Sequence, residues 1–137
     1  MDQKLAEKLR SLSKDTLMEA LGIQITDVGD NWITGTMPVD NRTKQPLGLL
    51  HGGASVAFAE SLASYAGSIS VDHDKQYIVG MEINANHIKA VREGIVYGRA
   101  ECIHKGKKSQ VWQTKITDKD DNLVCISRMT LSVINKQ

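Results

Sequence analysis

The stretch that decides the fold is Gln45–Ser61, QPLGLLHGGASVAFAES, which opens into a run of small and apolar residues from Leu47 to Val71. This run contains no Lys, Arg or Asp and a single Glu, Glu60, nine positions after His51. Its length and composition predict one long buried helix. A lone carboxylate in an apolar setting is costly to ionise, so Glu60 needs either a hidden partner or a chemical role.

The same run is long enough for a membrane span, but its composition argues against one. Four glycines and five serines dilute its hydrophobicity. Glu60 would lie near the middle of the bilayer, at a cost of about 2.5–3.5 kcal/mol. No asymmetry of basic residues flanks the run to orient it. We therefore expect no membrane association and a helix buried inside protein.

Length and composition indicate one ordinary globular domain, residues 1–137, with 41% hydrophobic and 24% charged residues. The net charge of +1 and the small aromatic content argue against a nucleic-acid partner. Cys102 and Cys125 follow no amino-terminal apolar signal. They predict reduced thiols and a cytoplasmic protein rather than a disulfide.

The chain before the central helix predicts a helical lead-in and a hairpin. In residues 1–21, three leucines fall at helical spacing. A second short helix follows in SKDTLMEALG, with Ser13 or Asp15 as N-cap and Gly22 as its stop. Residues 23–38 then alternate apolar and polar residues around the turn GDN, which predicts two paired strands.

The second half of the chain predicts four strands rich in Val, Ile, Thr and Tyr. These runs are QYIVGMEINANHIKAV, IVYGRAECIH, SQVWQTKITD and NLVCISRMTLSVI. The short turns REG, KGKK and KDDN separate them, so consecutive strands should be antiparallel neighbours in a meander. The apolar face of that sheet needs a cover, and the central helix is the only long apolar element. The expected class is therefore α+β.

Several of these segments resemble a known family, the hotdog-fold acyl-CoA thioesterases. HGG begins the helix, and Glu60 lies eight positions beyond Gly52. MPVDNRTKQPLGLLHGGASVAFAESLAS, VGMEINANHIKAVREG and SQVWQTKITD are similar to the subgroup that hydrolyses aryl-CoA or aryl-carrier-protein thioesters. The likeness runs from Leu21 to Ile134.

The resemblance implies a hotdog fold, in which an antiparallel sheet wraps around one long central helix. It also implies a dimer joined sheet edge to sheet edge, and two such dimers in a tetramer. The active sites would lie at the dimer interface, where Glu60 of one copy faces Gly52 and Gln45 of the other. The expected substrate is an acyl-CoA, or the thioester of an acyl or aryl carrier protein. Coenzyme A would be part of the substrate, so no separate cofactor is expected.

Glu60 and Gly52 match the two central catalytic positions of the family. The resemblance implies that Glu60 either attacks the thioester carbonyl or activates a water, and the sequence leaves both routes open. The backbone N–H of Gly52 would polarise the carbonyl from the amino terminus of the helix. Glu60 is expected to be buried on this helix. Without the motif, a Glu60 paired with a buried Arg would be the commoner case.

Four further residues have supporting roles by the same resemblance. His51 would support the loop or the thioester by hydrogen bonding rather than act as a general base. Gln45 would contact the thioester or the lytic water. Ser64, one helical turn after Glu60, would orient water or substrate, and Ser61 could take its place.

Coenzyme A ends in a phosphorylated nucleotide, so its binding site needs cations and backbone amides near the surface. The segments HKGKK and NHIKAVR supply them, and in the family they lie close to the nucleotide. A solvated hairpin tip is the equally weighted alternative for the lysines of the first segment. The expected substrate-binding residues are Ser61, Gly80, His87, Lys89, Gly106, Lys107 and Lys108.

Other chemistries fit the sequence less well. A cysteine hydrolase built on Cys102 and His104 lacks a third residue to orient the histidine. The four histidines show no metal-ligand spacing, so no metal site is expected. A hotdog dehydratase or hydratase and a non-catalytic acyl-CoA-binding module remain as alternatives. The binding module is disfavoured by the joint presence of the expected catalytic residues, Gln45, His51, Gly52, Glu60 and Ser64.

Overall fold

A computed structural model describes residues 2–137 of the chain. It contains three helices and six strands. In chain order they are α1 (Gln3–Leu12), α2 (Leu17–Ala20), β1 (Gln24–Gly29), β2 (Trp32–Val39), α3 (Gly52–Ile69), β3 (Gln76–His87), β4 (Gly94–Lys105), β5 (Ser109–Thr117) and β6 (Leu123–Asn135).

The six strands form one sheet in the order β1-β2-β4-β5-β6-β3, and every neighbouring pair is antiparallel. Helix α3 packs against one face of this sheet and contacts all strands from β2 to β6. The predicted α+β class, with a sheet wrapped around one central helix, is therefore confirmed.

The central helix is shorter than the apolar run that predicted it. It begins at Gly52 rather than Leu47, because the preceding residues form a loop in which Gly48 has a φ of +80° and Leu50 bridges to Lys44. His51 is the N-cap. Within residues 2–137, no helix combines the length and apolar character needed to cross a bilayer.

Two glycines in register let α3 approach the sheet closely. Gly35 of β2 lies opposite Gly98 of β4. A Cβ atom on Gly98 would lie 2.6 Å from Leu62 Cδ1 and 2.8 Å from Phe58 Cζ. Phe58 and Leu62 are fully buried. The absence of side chains at this glycine pair therefore makes room for the largest apolar residues of the helix.

The predicted meander is correct for β4, β5 and β6 but wrong for β3. Strand β3 pairs with β6 at one edge of the sheet, and β4 pairs with β2. The connecting residues 88–93 do not turn back, because Ile88 N–H donates to Val124 O and Leu50 N–H donates to Val91 O. They cross three strand spacings, about 14 Å, which six extended residues can span.

The amino-terminal lead-in covers the β1 edge of the sheet. Arg10 Nη1 donates to Ile25 O over 2.6 Å, and the N–H of Asp2 donates to Val28 O over 2.7 Å. These bonds satisfy carbonyl groups that an edge strand would otherwise leave open. At the opposite edge, β3 has no outer neighbour among the described residues, and Tyr77, Val79 and Met81 are exposed on it.

The second helix of the lead-in starts later than predicted. Neither Ser13 nor Asp15 is its N-cap, because Ser13 ends α1 and Asp15 has a φ of 61°. Thr16 occupies the N-cap position. Gly22 does end the helix, with a φ of 74°, since a glycine adopts this left-handed conformation without a Cβ penalty.

The two cysteines lie on different strands, Cys102 on β4 and Cys125 on β6, and both are free thiols. Burial raises the pKa of Cys125, which keeps it protonated. It is therefore a small core residue rather than a reactive thiol.

Candidate active site

The amino terminus of α3 presents a free backbone donor. His51 Nδ1 accepts a hydrogen bond from the N–H of Gly53 over 2.7 Å. The N–H of Gly52 has no acceptor among residues 2–137. Because the helix dipole favours negative charge at this end, the Gly52 N–H is available to a developing oxyanion. His51 supports the turn, as the sequence predicted, and its Nδ1 is occupied in doing so.

His87 lies directly against Gly52. A Cβ atom on Gly52 would lie 2.9 Å from His87 Nε2 and 3.1 Å from Cε1. Any residue other than glycine would therefore press on the imidazole ring at the point where the N–H is free. The sequence placed both residues in the site, and the structure brings them into contact.

A pocket of about 340 Å³ opens at this end of α3. Its walls come from the loop before the helix, the first turn of the helix and the segment after β3. The lining residues are Gln45, Leu49, Leu50, Gly52, Ser55, His87, Ile88, Lys89, Ala90 and Val124. The structure thus brings together four of the predicted site residues, Gln45, Gly52, His87 and Lys89.

The loop fixes the orientation of the Gln45 amide. Gln45 Oε1 accepts a hydrogen bond from the N–H of Leu47, and the N–H of Gln45 donates to Leu49 O over 2.8 Å. Since a backbone N–H can only donate, the amide oxygen is the atom that faces it. The Nε2 group has no acceptor among residues 2–137 and is left to donate into the pocket.

Glu60 lies on a different surface and is exposed. The expected burial is therefore wrong for the single chain, because the buried face of α3 points to the sheet while Glu60 lies beside the edge strand β3. Its Oε2 atom is 3.5 Å from the position that a Cβ on Gly80 would occupy. The three ion pairs found within residues 2–137 do not include Glu60, so no buried arginine neutralises it.

Glu60 lines a groove of about 430 Å³. Its walls come from one face of α3 and from the lead-in. The lining residues are Thr16, Leu17, Met18, Ala57, Glu60, Ser61, Ser64 and Tyr65. We call this the Glu60 groove.

The two predicted serines differ in the freedom of their hydroxyl groups. Ser61 Oγ donates to Ala57 O over 2.7 Å, so its proton is used within the helix. Ser64 Oγ has no hydrogen-bond partner among residues 2–137, and it lines the Glu60 groove. Ser64 is therefore better placed than Ser61 to orient a water or a substrate atom.

The structure does not join the two halves of the predicted site within one chain. Gly52 and Glu60 are eight residues apart on one helix, which separates them by about 12 Å along the axis. The pocket at Gly52 and the Glu60 groove have no lining residue in common. A thioester carbonyl held at Gly52 is thus beyond the reach of Glu60 of the same chain.

Lys89 is already engaged by a carboxylate. Its ammonium group forms an ion pair with Asp118. The pKa of Asp118 lies well below its usual value. The main cause is the hydrogen bond from Lys89, and the second is the one from the backbone N–H of Asn122. A phosphate bound by Lys89 would have to share it with Asp118.

The second lysine segment is remote from the first. Lys107 and Lys108, with Gly106, lie in the turn between β4 and β5. Strand β4 has twelve residues and runs from Gly94 to Lys105, a length of roughly 36 Å. In the single chain, the two segments expected near the nucleotide therefore lie at opposite ends of β4.

Sequence reasoning missed the contribution of the lead-in. Thr16, Leu17 and Met18 form one wall of the Glu60 groove. Its sequence pattern predicts only a helix with caps. The available signal was Leu17, an apolar residue that the short helix cannot bury and that is 63% exposed.

Comparisons with known proteins agree with this fold. The family model of the thioesterase superfamily matches residues 47–125. A 1,4-dihydroxy-2-naphthoyl-CoA hydrolase of Escherichia coli is 45% identical, over 93% of this chain and 93% of its own length. The proofreading thioesterase EntH of Cronobacter turicensis is 47% identical, again over 93% of each chain.

Solved structures show the same similarity. A mutant thioesterase from Pseudomonas aeruginosa superposes with a TM-score of 0.94 and 42% identity, over 96% of this chain and 94% of its own. Two mutants of one Staphylococcus aureus protein, 37% identical, give TM-scores of 0.85 and 0.83, over 88% and 85% of this chain and 99% and 97% of theirs. One replaces a glutamate by alanine and the other a glutamine 15 positions earlier.

Proposed function

This chain belongs to the thioesterase superfamily and is a thioester hydrolase, and from that premise we propose that it cleaves an aromatic acyl-CoA into the free acid and coenzyme A. The first candidate substrate is 1,4-dihydroxy-2-naphthoyl-CoA, which would place the enzyme in menaquinone synthesis. The similarity to the hydrolase of that name supports it. The observation that carries the proposal is the free N–H of Gly52 beside Gln45 and His87.

A second candidate function is the removal of wrong acyl groups from an aryl carrier protein. The similarity to a proofreading thioesterase favours it. The chemistry is the same, since the bond cleaved is a thioester of a phosphopantetheine thiol in both cases. The two functions differ in what lies beyond the pantetheine arm, a nucleotide or a protein surface.

In the proposed mechanism, the thioester carbonyl accepts hydrogen bonds from the N–H of Gly52 and from Gln45 Nε2. These donors stabilise the negative charge that grows on the carbonyl oxygen. Glu60 either takes a proton from a water that attacks the carbonyl carbon or attacks that carbon itself. The carbon–sulfur bond breaks, the thiolate leaves and is protonated, and water supplies the hydroxyl of the free acid. Ser64 orients the water or the substrate.

We propose that each active site combines two chains, because Gly52 and Glu60 line separate pockets in one. Glu60 of one copy would face Gly52 and Gln45 of another. The open edge of β3 supports this arrangement, since Glu60 lies beside that edge and its apolar residues are exposed. Two such dimers would form the tetramer.

The spacing of the mutated residues in the S. aureus structures supports the choice of Gln45 and Glu60. The glutamine and glutamate replaced in that protein are 15 positions apart. Gln45 and Glu60 have the same spacing here. We therefore propose that Gln45 and Glu60 both contact the substrate. Each active site would take Gln45 from one copy and Glu60 from another.

We propose that Lys89, Lys107 and Lys108 bind the phosphates of coenzyme A, the last two from a different copy than the first. The substrate supplies coenzyme A, and the proposed chemistry requires no other cofactor. We also propose one thioesterase domain and a cytoplasmic location, because free thiols are typical of that compartment.

A panel of thioesters tests the proposed function. Release of free thiol from benzoyl-, naphthoyl-, hexanoyl- and palmitoyl-CoA is followed with a thiol reagent, and aromatic substrates should have the highest kcat/KM. Glu60→Gln should lower kcat by at least about 10²–10⁴, whereas Glu7→Gln, an exposed acid of α1, should not change it. A preference for palmitoyl-CoA would overturn the aromatic assignment. Normal turnover by Glu60→Gln would overturn the catalytic role of the carboxylate.

A further inference from the structure

The Glu60 groove has a polar side and an apolar side. Glu60 and Ser64 carry its polar groups on α3, and Leu17 and Met18 of the lead-in form the facing apolar wall. Leu17 is 63% exposed. The reacting carbonyl must lie next to the carboxylate in the proposed mechanism, so the acyl group that extends from it has this apolar wall in the same groove.

The far end of the groove is held by hydrogen bonds to the lead-in. Ser13 Oγ is 3.1 Å from Tyr65 Oη and donates to Leu9 O over 3.0 Å. A serine hydroxyl has one proton, and Ser13 donates it to Leu9 O. The Tyr65 hydroxyl is therefore the donor in its hydrogen bond with Ser13. Ser13 and Met18 are both buried. The Tyr65 ring is thereby tied to α1, and the groove keeps a fixed end.

We propose that the amino-terminal lead-in selects the acyl group of the substrate, with Leu17 as the specificity-determining residue and the Ser13–Tyr65 hydrogen bond as the positioning contact. This inference rests on the proposed function. Leu17 and Ser13 lie outside the range 47–125 that the superfamily model matches. The occupant is the aromatic acyl moiety, which buries Leu17 when it binds.

The groove distinguishes acyl groups by their shape and by the apolar area that they cover. A flat ring system is rigid and loses little conformational freedom when it is held between a leucine and a tyrosine ring. A long alkyl chain must be ordered along its length and would meet the fixed end of the groove at Tyr65. The groove therefore favours compact aromatic acyl groups over long flexible ones.

Two substitutions at Leu17 test the inference in opposite directions. Leu17→Ala removes part of the wall and should lower kcat/KM for naphthoyl-CoA by roughly 10-fold, with a smaller change for hexanoyl-CoA. Leu17→Phe fills the groove and should lower the value for naphthoyl-CoA more than that for benzoyl-CoA. Leu12→Ala is the matched control, because Leu12 is a 57% exposed leucine of α1 that does not line the groove.

A binding measurement separates selection from chemistry. The probe is a naphthacyl-CoA thioether, which cannot be hydrolysed, and its affinity is measured by calorimetry beside that of free coenzyme A. Leu17→Ala should weaken the thioether and leave free coenzyme A unchanged. Tyr65→Phe keeps the ring but removes the bond to Ser13, so it should lower the naphthoyl-to-hexanoyl ratio of kcat/KM without abolishing turnover.

The outcomes distinguish this inference from the function on which it rests. Unchanged substrate ratios and unchanged thioether affinity in both Leu17 variants, in an active enzyme, would overturn the role of the lead-in alone. A wild-type protein that neither hydrolyses nor binds any acyl-CoA probe would overturn the proposed function and this inference with it. Circular dichroism spectra matching the wild type confirm that the variants are folded.

Discussion

Glu60 Oε2 lies 3.5 Å from the position that a Cβ atom on Gly80 would occupy, so the backbone of β3 forms the floor under the carboxylate. The sequence assigned Gly80 to substrate binding. The structure places it beneath Glu60, where the lack of a side chain leaves room for the carboxylate.

Substitutions at Gly80 should therefore have a graded effect on turnover. Alanine would touch Glu60 at an ordinary contact distance and displace only the terminal methyl group of Met129, 2.7 Å away, so the kcat of Gly80→Ala should stay near the wild-type value. The branched side chain of Gly80→Val should push the carboxylate aside and lower kcat by about 10²-fold. Steady-state kinetics on one aromatic thioester checks this, and equal values for both variants would contradict it.

Mixed dimers test the shared site. Glu60→Gln and Gly52→Val should each be nearly inactive alone. When equal amounts are unfolded and refolded together, half of the dimers pair one variant with the other, and each contains one intact site, so about a quarter of the wild-type activity should return. Each variant refolded by itself is the control. No recovery in verified heterodimers would mean that Glu60 and Gly52 of the same chain cooperate.

Removal of the lysines should affect binding more than chemistry. Lys89, Lys107 and Lys108 would contact the nucleotide equally in the ground state and the transition state. The triple alanine variant should therefore raise KM for a CoA thioester and leave kcat nearly unchanged. It should lose much less activity on a pantetheine thioester, which has no nucleotide. Equal losses on both substrates would show that these lysines do not bind the nucleotide.

The ion pair between Lys89 and Asp118 should make stability depend on pH in the acid range. Lys89 lowers the pKa of Asp118 in the folded protein, and a lowered carboxyl pKa stabilises the fold above the unfolded value, near pH 4. That contribution is lost as the pH falls through the folded-state pKa. Urea denaturation should show Lys89→Ala less stable than the wild type at pH 7, with a difference that shrinks below about pH 4. A difference in stability that stays constant as the pH falls would show that Lys89 acts through packing rather than through its charge.

Because α3 lies close to the sheet at Gly98, we expect that a larger residue at this position destabilises the protein. Gly98→Ala would place a methyl group 2.6 Å from Leu62 Cδ1 and 2.8 Å from Phe58 Cζ. Overpacking of this kind lowers the free energy of unfolding by about 1–3 kcal/mol. Urea denaturation measures the loss, and combined with Leu62→Ala the loss from Gly98→Ala should be smaller than in the wild-type background, because the clashing methyl group is gone. An unchanged midpoint would show that the helix can shift without cost.

The sequence predicted the elements of this fold better than their pairing. Composition alone indicated the central helix, and β-branched runs indicated all six strands. The partner of β3 was missed, because a turn signal around Gly94, with its φ of +93°, is the same for a hairpin and for a crossover. Only the hydrogen bonds of residues 88–93 with Val124 and Leu50 distinguish the two, and those are long-range contacts.

The site was predictable in its parts, and its division between two copies was expected from the resemblance and from the eight residues that separate Gly52 and Glu60 on one helix. Motif matching placed Gln45, Gly52 and His87 together, as the structure does. The exposure of Glu60 could not be foreseen, because an apolar run does not reveal which helix face meets the sheet. The groove wall at Leu17 was missed for a related reason, since the lead-in is distant in sequence from the residues that it meets.

The two edges of the sheet differ in whether they can accept a further strand, and this difference limits the number of copies that strand pairing could join. Bonds from the lead-in occupy the β1 edge, whereas β3 offers its outer edge to a neighbour. A second copy that pairs with β3 through its own β3 uses up the open edge of both. Strand addition then stops at two copies, because no open edge remains for a third strand. The geometry that would complete a catalytic site would thus also protect the sheet from fibrous aggregation.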